Sequence, residues 1–261
     1  MTALFDIDLR AKRRDRASRV GPELFLAERV FADCLDRLTL VPRRFANALL
    51  IGCPDPAWPA RLPADSVDRR DPGPLLAERA GGEPIIEDDW SPEGNAYDLV
   101  LAIGTLDTVN DLPRALRLLF EAMTSDALLI GAVSGGDTLP RLRGAMRAAD
   151  AVAGPALPHV HPRIEASALA PLLSRAGFAM PVVDVDRVEV RYRDLRRLVN
   201  DLRAMGATNV LTERPRSFLS HSAYCAARQA FEENGTDDRT TEVFEILHFA
   251  AWKGSGEVKD R

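Results

Sequence analysis

His159 and His161 flank a single valine, so an extended segment would hold both imidazoles on one side. Metal binding needs further ligands, and no other His or Cys clusters nearby in sequence. Pro158 and Pro162 bracket the pair, which reads as an exposed loop. Asp184 and Asp186 repeat the spacing with carboxylates on one strand face. As iron ligands they would need a His that the sequence does not place beside them, so a solvated strand face is expected and no metal site is assigned. Residues 97–113, YDLVLAIGTLDTVNDLP, carry more. Their first part is a continuous apolar run over 99–104 that suits a strand buried on both faces. Asn110-Asp111-Leu112-Pro113 then caps a helix with proline in its first turn. The loop between them, 104–110, lies at the carboxyl end of a parallel strand, where open α/β sheets bind ligands. No Ser-His-Asp order, Walker loop or zinc spacing occurs, and no catalytic residue is assigned.

The elements that must position these residues follow from periodicity. Strands are expected at 46–52, 66–68, 84–87, 99–104, 127–133, 182–191 and 243–252. Helices are expected at 22–40, 74–79, from 112 onward, over 139–149, 166–176, 195–205 and 220–233. The turn after the first strand, Cys53-Pro54-Asp55-Pro56-Ala57-Trp58-Pro59, is rich in proline. Asp68 is taken to end the second strand, and the third closes in Glu87-Asp88-Asp89-Trp90. The apolar phase changes within 182–191 around Asp186-Arg187, which reads as an edge strand with a bulge. Strands alternating with helices imply a parallel sheet with right-handed crossovers, and the last two longer strands add an antiparallel edge. The simplest organisation is an N-terminal helical segment over 1–45, one main domain over 46–253 with a helical insertion at about 192–240, and a polar tail over 254–261.

The 261 residues carry a net charge of −5, which argues against a general nucleic-acid binder. Cys34, Cys53 and Cys225 are too few and too scattered for a disulfide framework, so a reducing compartment is expected. No stretch approaches the roughly 20 apolar residues that cross a bilayer. Arg10, Lys12, Arg13, Arg14, Arg16 and Arg19 have the basic character of a transit peptide, but Asp6, Asp8 and Asp15 interrupt them. A solvated or docking helix and a cytoplasmic location are the resulting expectations.

Several strings carry a resemblance. They are Leu4-Phe5-Asp6 with the Arg-rich run after it, Val109-Asn110-Asp111-Leu112-Pro113, Gly135-Gly136-Asp137-Thr138-Leu139, Arg175-Ala176-Gly177-Phe178, Asp184-Val185-Asp186, and Met205-Gly206-Ala207-Thr208-Asn209 with the four residues before it. With the order of units, they resemble the class I S-adenosylmethionine (SAM)-dependent methyltransferases. Among these the chain looks most like the family of the mitochondrial complex I assembly factor, with the biotin-pathway carboxyl methyltransferase as a more distant relative. The resemblance implies a Rossmann-like α/β fold, with a mostly parallel sheet, flanking helices and an antiparallel edge. It implies SAM as cofactor, held by Gly52, Cys53, Asp68, Asp88, Trp90, Ile103, Gly104 and Thr105. In this alignment Asp68 would meet the ribose hydroxyls, while Asp88 and Trp90 would hold the adenine.

The chain departs from the family pattern in the first turn. Leu50 replaces an acidic residue, and Pro54 and Pro56 replace two glycines. Proline donates no N–H and adds bulk where the ligand should touch. Two lost hydrogen bonds to charged groups would weaken binding by about 3–6 kcal/mol. Asp107-Thr108 also stands where the family has a His-Trp pair. The implied functions are methyl transfer to a protein or small-molecule acceptor, a role in respiratory complex I assembly, a non-catalytic assembly protein that has lost SAM, and an arginine hydroxylase. A respiratory-complex subunit is the implied protein partner.

Overall fold

The computed structural model describes residues 3–233 and 235–254. Its elements are α1 (Ile7–Val20), α2 (Phe25–Thr39), β1 (Phe45–Ile51), β2 (Ala64–Asp71), α3 (Pro74–Arg79), β3 (Glu83–Pro84), β4 (Tyr97–Ile103), α4 (Leu112–Ala122) and β5 (Met123–Ser134). After these come α5 (Pro140–Ala153), α6 (Ala166–Arg175), β6 (Ala179–Tyr192), α7 (Leu195–Ala204), α8 (His221–Glu232) and β7 (Thr240–Trp252). The expected tail lies outside the described residues apart from Gly254.

The strands form one sheet in the order β3-β2-β1-β4-β5-β7-β6. β3 to β2, β2 to β1, β1 to β4 and β4 to β5 all pair parallel. β7 runs antiparallel to β5, since Asp126 and Ala127 exchange backbone bonds with Lys253 while Gly135 donates to Glu245. The expected mostly parallel sheet with an antiparallel edge is therefore present. Strand order reverses at β1, with β2 on one side and β4 on the other, which makes the carboxyl ends of these three strands the place for a ligand.

Local signals account for most boundaries. The Asp111 side chain accepts from Arg114 N at 2.9 Å, and Pro113 fills the first turn of α4. α2 presents Val30, Phe31, Cys34 and Leu38 as its buried stripe. Burial along β6 alternates until Asp184 and Val185, both exposed, and then resumes in the other phase. β3 is only Glu83–Pro84, shorter than expected, because proline donates nothing further to a ladder.

Contacts divide the chain into two compact units. The first comprises residues 1–23, 134–163 and 186–246, and the second 24–133, 164–185 and 247–261. The second contains the main apolar core, built on Leu49, Ile51, Val100, Ala102, Leu116, Leu119, Leu129 and Phe249. In the first, the N-terminal basic segment is a docked helix. Phe5 bridges to Leu211, Asp6 N donates to Val210 O at 2.8 Å, and Arg10 is buried.

Candidate functional site

The carboxyl ends of β1, β2 and β4 are in register, Ile51 pairing with Arg70 on one side and Ala102 on the other. This row brings Gly52, Cys53, Asp71, Ile103, Gly104 and Thr105 to one edge of the second unit. Gly52 has φ +82°, and a Cβ built there would lie 2.2 Å from Ile103 O. Only glycine lets the turn leave β1 this close to β4. Gly104 has φ +61° and is open to solvent, whereas Ile103 and Thr105 are buried.

The proline-rich turn is clamped to α2. Asp55 accepts from Ala57 N at 2.8 Å and leads into a 3-10 turn, Trp58–Arg61. Trp58 is wholly buried and stacks on Phe31, with 4.3 Å between centroids and 6° between planes. Its Nε1 donates to Glu28 Oε2 at 2.7 Å, and Arg61 bonds the other oxygen of the same carboxylate. Cys53 Sγ donates to Asp55 O at 3.2 Å, and burial, aided by the nearby Asp71 charge, pushes this thiol up to about 12. A thiol held protonated in this way is a poor nucleophile.

The carboxylates of the expected site are placed differently from the expectation. β2 runs on to Asp71, so Asp68 lies three residues inside the strand, about 10 Å from its end at ~3.3 Å per residue. Asp68 accepts from Tyr97 OH at 2.7 Å, and burial together with this bond raises the phenol to about 12. Asp71 occupies the position expected of Asp68. It is fully buried and accepts from Gly73 N at 2.7 Å. Its signal in the sequence was the turn Pro72-Gly73-Pro74, which ends a strand at the residue before it. Asp88 Oδ2 accepts from Asn110 N at 2.9 Å and Asp111 N at 2.8 Å, so it holds the entrance to α4. Trp90 packs against the main core, and its buried Nε1 has no hydrogen-bond partner among the described residues.

These residues differ in placement from what the resemblance implies for an adenosyl cofactor. Pro54 and Pro56 have no N–H to offer. Asp71 is enclosed, Asp88 Oδ2 accepts from two backbone amides, and Trp90 is half-buried against the main core.

The two histidines serve separate purposes, both within the first unit. His159 Nε2 bonds Asp150 Oδ1 at 2.8 Å, whereas His161 Nε2 accepts from Val210 N at 2.9 Å and its ring meets Phe5 edge-on. Burial and the Arg143 charge lower His161 to about 4, which keeps it neutral. In the second unit Asp184 accepts from Arg37 at 2.7 Å. Among the described residues, no group of three or more His, Cys, Asp or Glu side chains gathers as a metal site. The Gly135–Leu139 string has a structural use. Thr138 Oγ1 donates to Glu245 O and accepts from Glu245 N, and a Cβ on Gly135 would meet Glu245 Oε1.

No model of a protein family matches the chain. Among curated proteins it is 30% identical to the zebrafish (Danio rerio) arginine-hydroxylase NDUFAF5, over 96% of this chain and 83% of that protein. It is 31% identical to the human protein of that name, over 96% of this chain and 77% of the other. A malonyl-[acyl-carrier protein] O-methyltransferase of Xylella fastidiosa matches at 32% over 64% of this chain and 55% of its own length. Among solved structures, the YcgJ protein of Bacillus subtilis superposes with a TM-score of 0.57 at 10% identity, covering 85% of this chain and 98% of that one. At such identity this likeness concerns the fold alone. The zebrafish and human relatives are named as mitochondrial proteins, which overturns the cytoplasmic expectation. Few cysteines report a reducing environment and do not distinguish one reducing compartment from another. With 30–31% identity along 96% of its length, the chain belongs to the family of the mitochondrial arginine-hydroxylase NDUFAF5.

Proposed function

We propose that this chain is a respiratory-complex assembly protein that works by binding a protein partner, on a methyltransferase fold whose cofactor row is held shut by its own side chains. The observation that carries this reading is the set of internal bonds at the ends of β1, β2 and β4. The turn that should cradle SAM is clamped through Trp58 and Glu28, and the two acidic groups best placed to meet the cofactor are Asp71 and Asp88. Both already hold backbone amides. Family membership supports the assembly role, and the relatives' mitochondrial names support a place beside the respiratory chain.

Isothermal titration of the folded protein with SAM and with S-adenosylhomocysteine tests the reading. Silence to millimolar ligand is the expected result. A micromolar one-to-one signal that Asp71→Ala weakens would overturn it and return the chain to the methyltransferases. A second reading, arginine hydroxylation, is favoured by the relatives' printed name. Its readout is oxygen uptake together with the mass of one added oxygen atom on an arginine of a respiratory subunit.

A further inference from the structure

The first unit contains a cavity of about 890 Å³. Its apolar lining includes Leu142 and Met146 of α5, Val199 and Leu202 of α7, and Phe218 from the segment before α8. The charged part of the lining is cationic. Arg13 of α1, Arg196 and Arg203 of α7, and Arg216 all line the cavity, and no Asp or Glu does. In a chain with a net charge of −5, a cavity lined by one sign of charge is an uneven distribution that focuses field on its interior.

The cations are poorly compensated. Arg13 is lowered by burial and then by the charges of Arg16, Arg214 and Arg203, so several guanidinium groups repel one another. Arg214 has Asp6 at 3.1 Å, whereas Arg203 has the amide oxygen of Asn200 at 3.5 Å. Three further donors on lining residues are buried without an acceptor among the described residues: Arg13 Nε, His161 Nδ1 and Thr208 Oγ1. Because His161 Nε2 accepts from Val210 N, the ring proton sits on Nδ1, which makes that nitrogen a donor. Buried donors with nothing to bond favour an incoming group rich in acceptors.

We propose that this cavity binds a small organic anion, a carboxylate or phosphate group carried on an apolar tail. The charged head would bond Arg13 and Arg203, and the tail would lie along Leu142, Met146 and Val199. The volume falls in the range of small-ligand pockets, roughly 300–1,000 Å³. A guanidinium-bearing substrate meets only like charge here, so this is not a site for a peptide arginine. The inference does not rest on the cofactor row, which belongs to the other unit, and either can fail alone.

Isothermal titration with decanoate, decyl phosphate, decanol and decylamine tests it on the whole chain. Decanoate or decyl phosphate should bind one-to-one, and the stronger of the two identifies a carboxylate or a phosphate as the natural head group. Decylamine should bind at least about tenfold more weakly, since it reverses the charge at the same apolar length. Arg203→Gln, at an exposed position, should weaken the anions by about tenfold and leave decanol unchanged, and raised salt should act in the same direction. Equal binding of decanoate and decylamine would reduce the cavity to an apolar hole. Absence of anion binding, or anion binding that Arg203→Gln and Arg196→Gln together leave intact, would also overturn the proposal.

Discussion

Gly52 and His161 show how single residues are constrained by what surrounds them. At Gly52 any side chain faces both the left-handed backbone at φ +82° and the Ile103 carbonyl 2.2 Å from its Cβ. Gly52→Ala should therefore lower stability by about 2 kcal/mol or more, read as a drop in urea midpoint at unchanged slope. His161 is held neutral at about 4, below its ordinary 6.5, by burial and the Arg143 charge. Between these values the unfolded chain binds a proton that the folded chain does not. Stability present above pH 6.5 is thus lost as pH falls towards 4, at up to about 1.4 kcal/mol per pH unit. Urea titrations at pH 7, 5.5 and 4.5 should give a shallower slope for His161→Asn than for the parent.

Between elements, the turn after β1 depends on α2 more than on its own sequence. Stacking of Trp58 on Phe31 and the Trp58–Glu28 bond fix a segment whose two prolines already restrict it. Trp58→Ala should cost about 3–5 kcal/mol by opening a cavity in a fully buried site. Glu28→Ala removes the acceptor alone and should cost about 1–3 kcal/mol, because the indole N–H is left unbonded. Both are measured by chemical denaturation, and a larger loss for Glu28→Ala than for Trp58→Ala would contradict this account of the clamp. The same logic explains the Gly135–Leu139 string, whose glycine and threonine fit the Glu245 backbone and carboxylate of β7.

For the molecule as a whole, the sheet order and family membership describe a methyltransferase fold, while Asp71 and Cys53 at the switch point are buried. A ligand that binds only the folded state raises stability by RT ln(1 + [L]/Kd). With SAM at 1 mM and no binding tighter than about that level, the gain is below roughly 0.5 kcal/mol. The unfolding temperature should then shift by less than about 2 °C. A shift of several degrees would show that the row opens.

Much of this architecture is legible in the sequence because its signals are local. The apolar runs of β1, β4 and β5, the Asp111-Leu112-Pro113 cap and the helix α8 depend on neighbours a few residues away, and each lies within a few residues of its expected place. The family strings likewise fixed the fold class. The tertiary structure alone decided how the carboxylates are used. Asp88 is spent on amides 22 and 23 residues further on, and Asp68 on a phenol 29 residues away. It alone gathered Arg13, Arg196 and Arg203 around one cavity. A residue's spacing in sequence states which groups could meet. Only packing of distant elements, which must satisfy each buried donor and acceptor, determines which of them do.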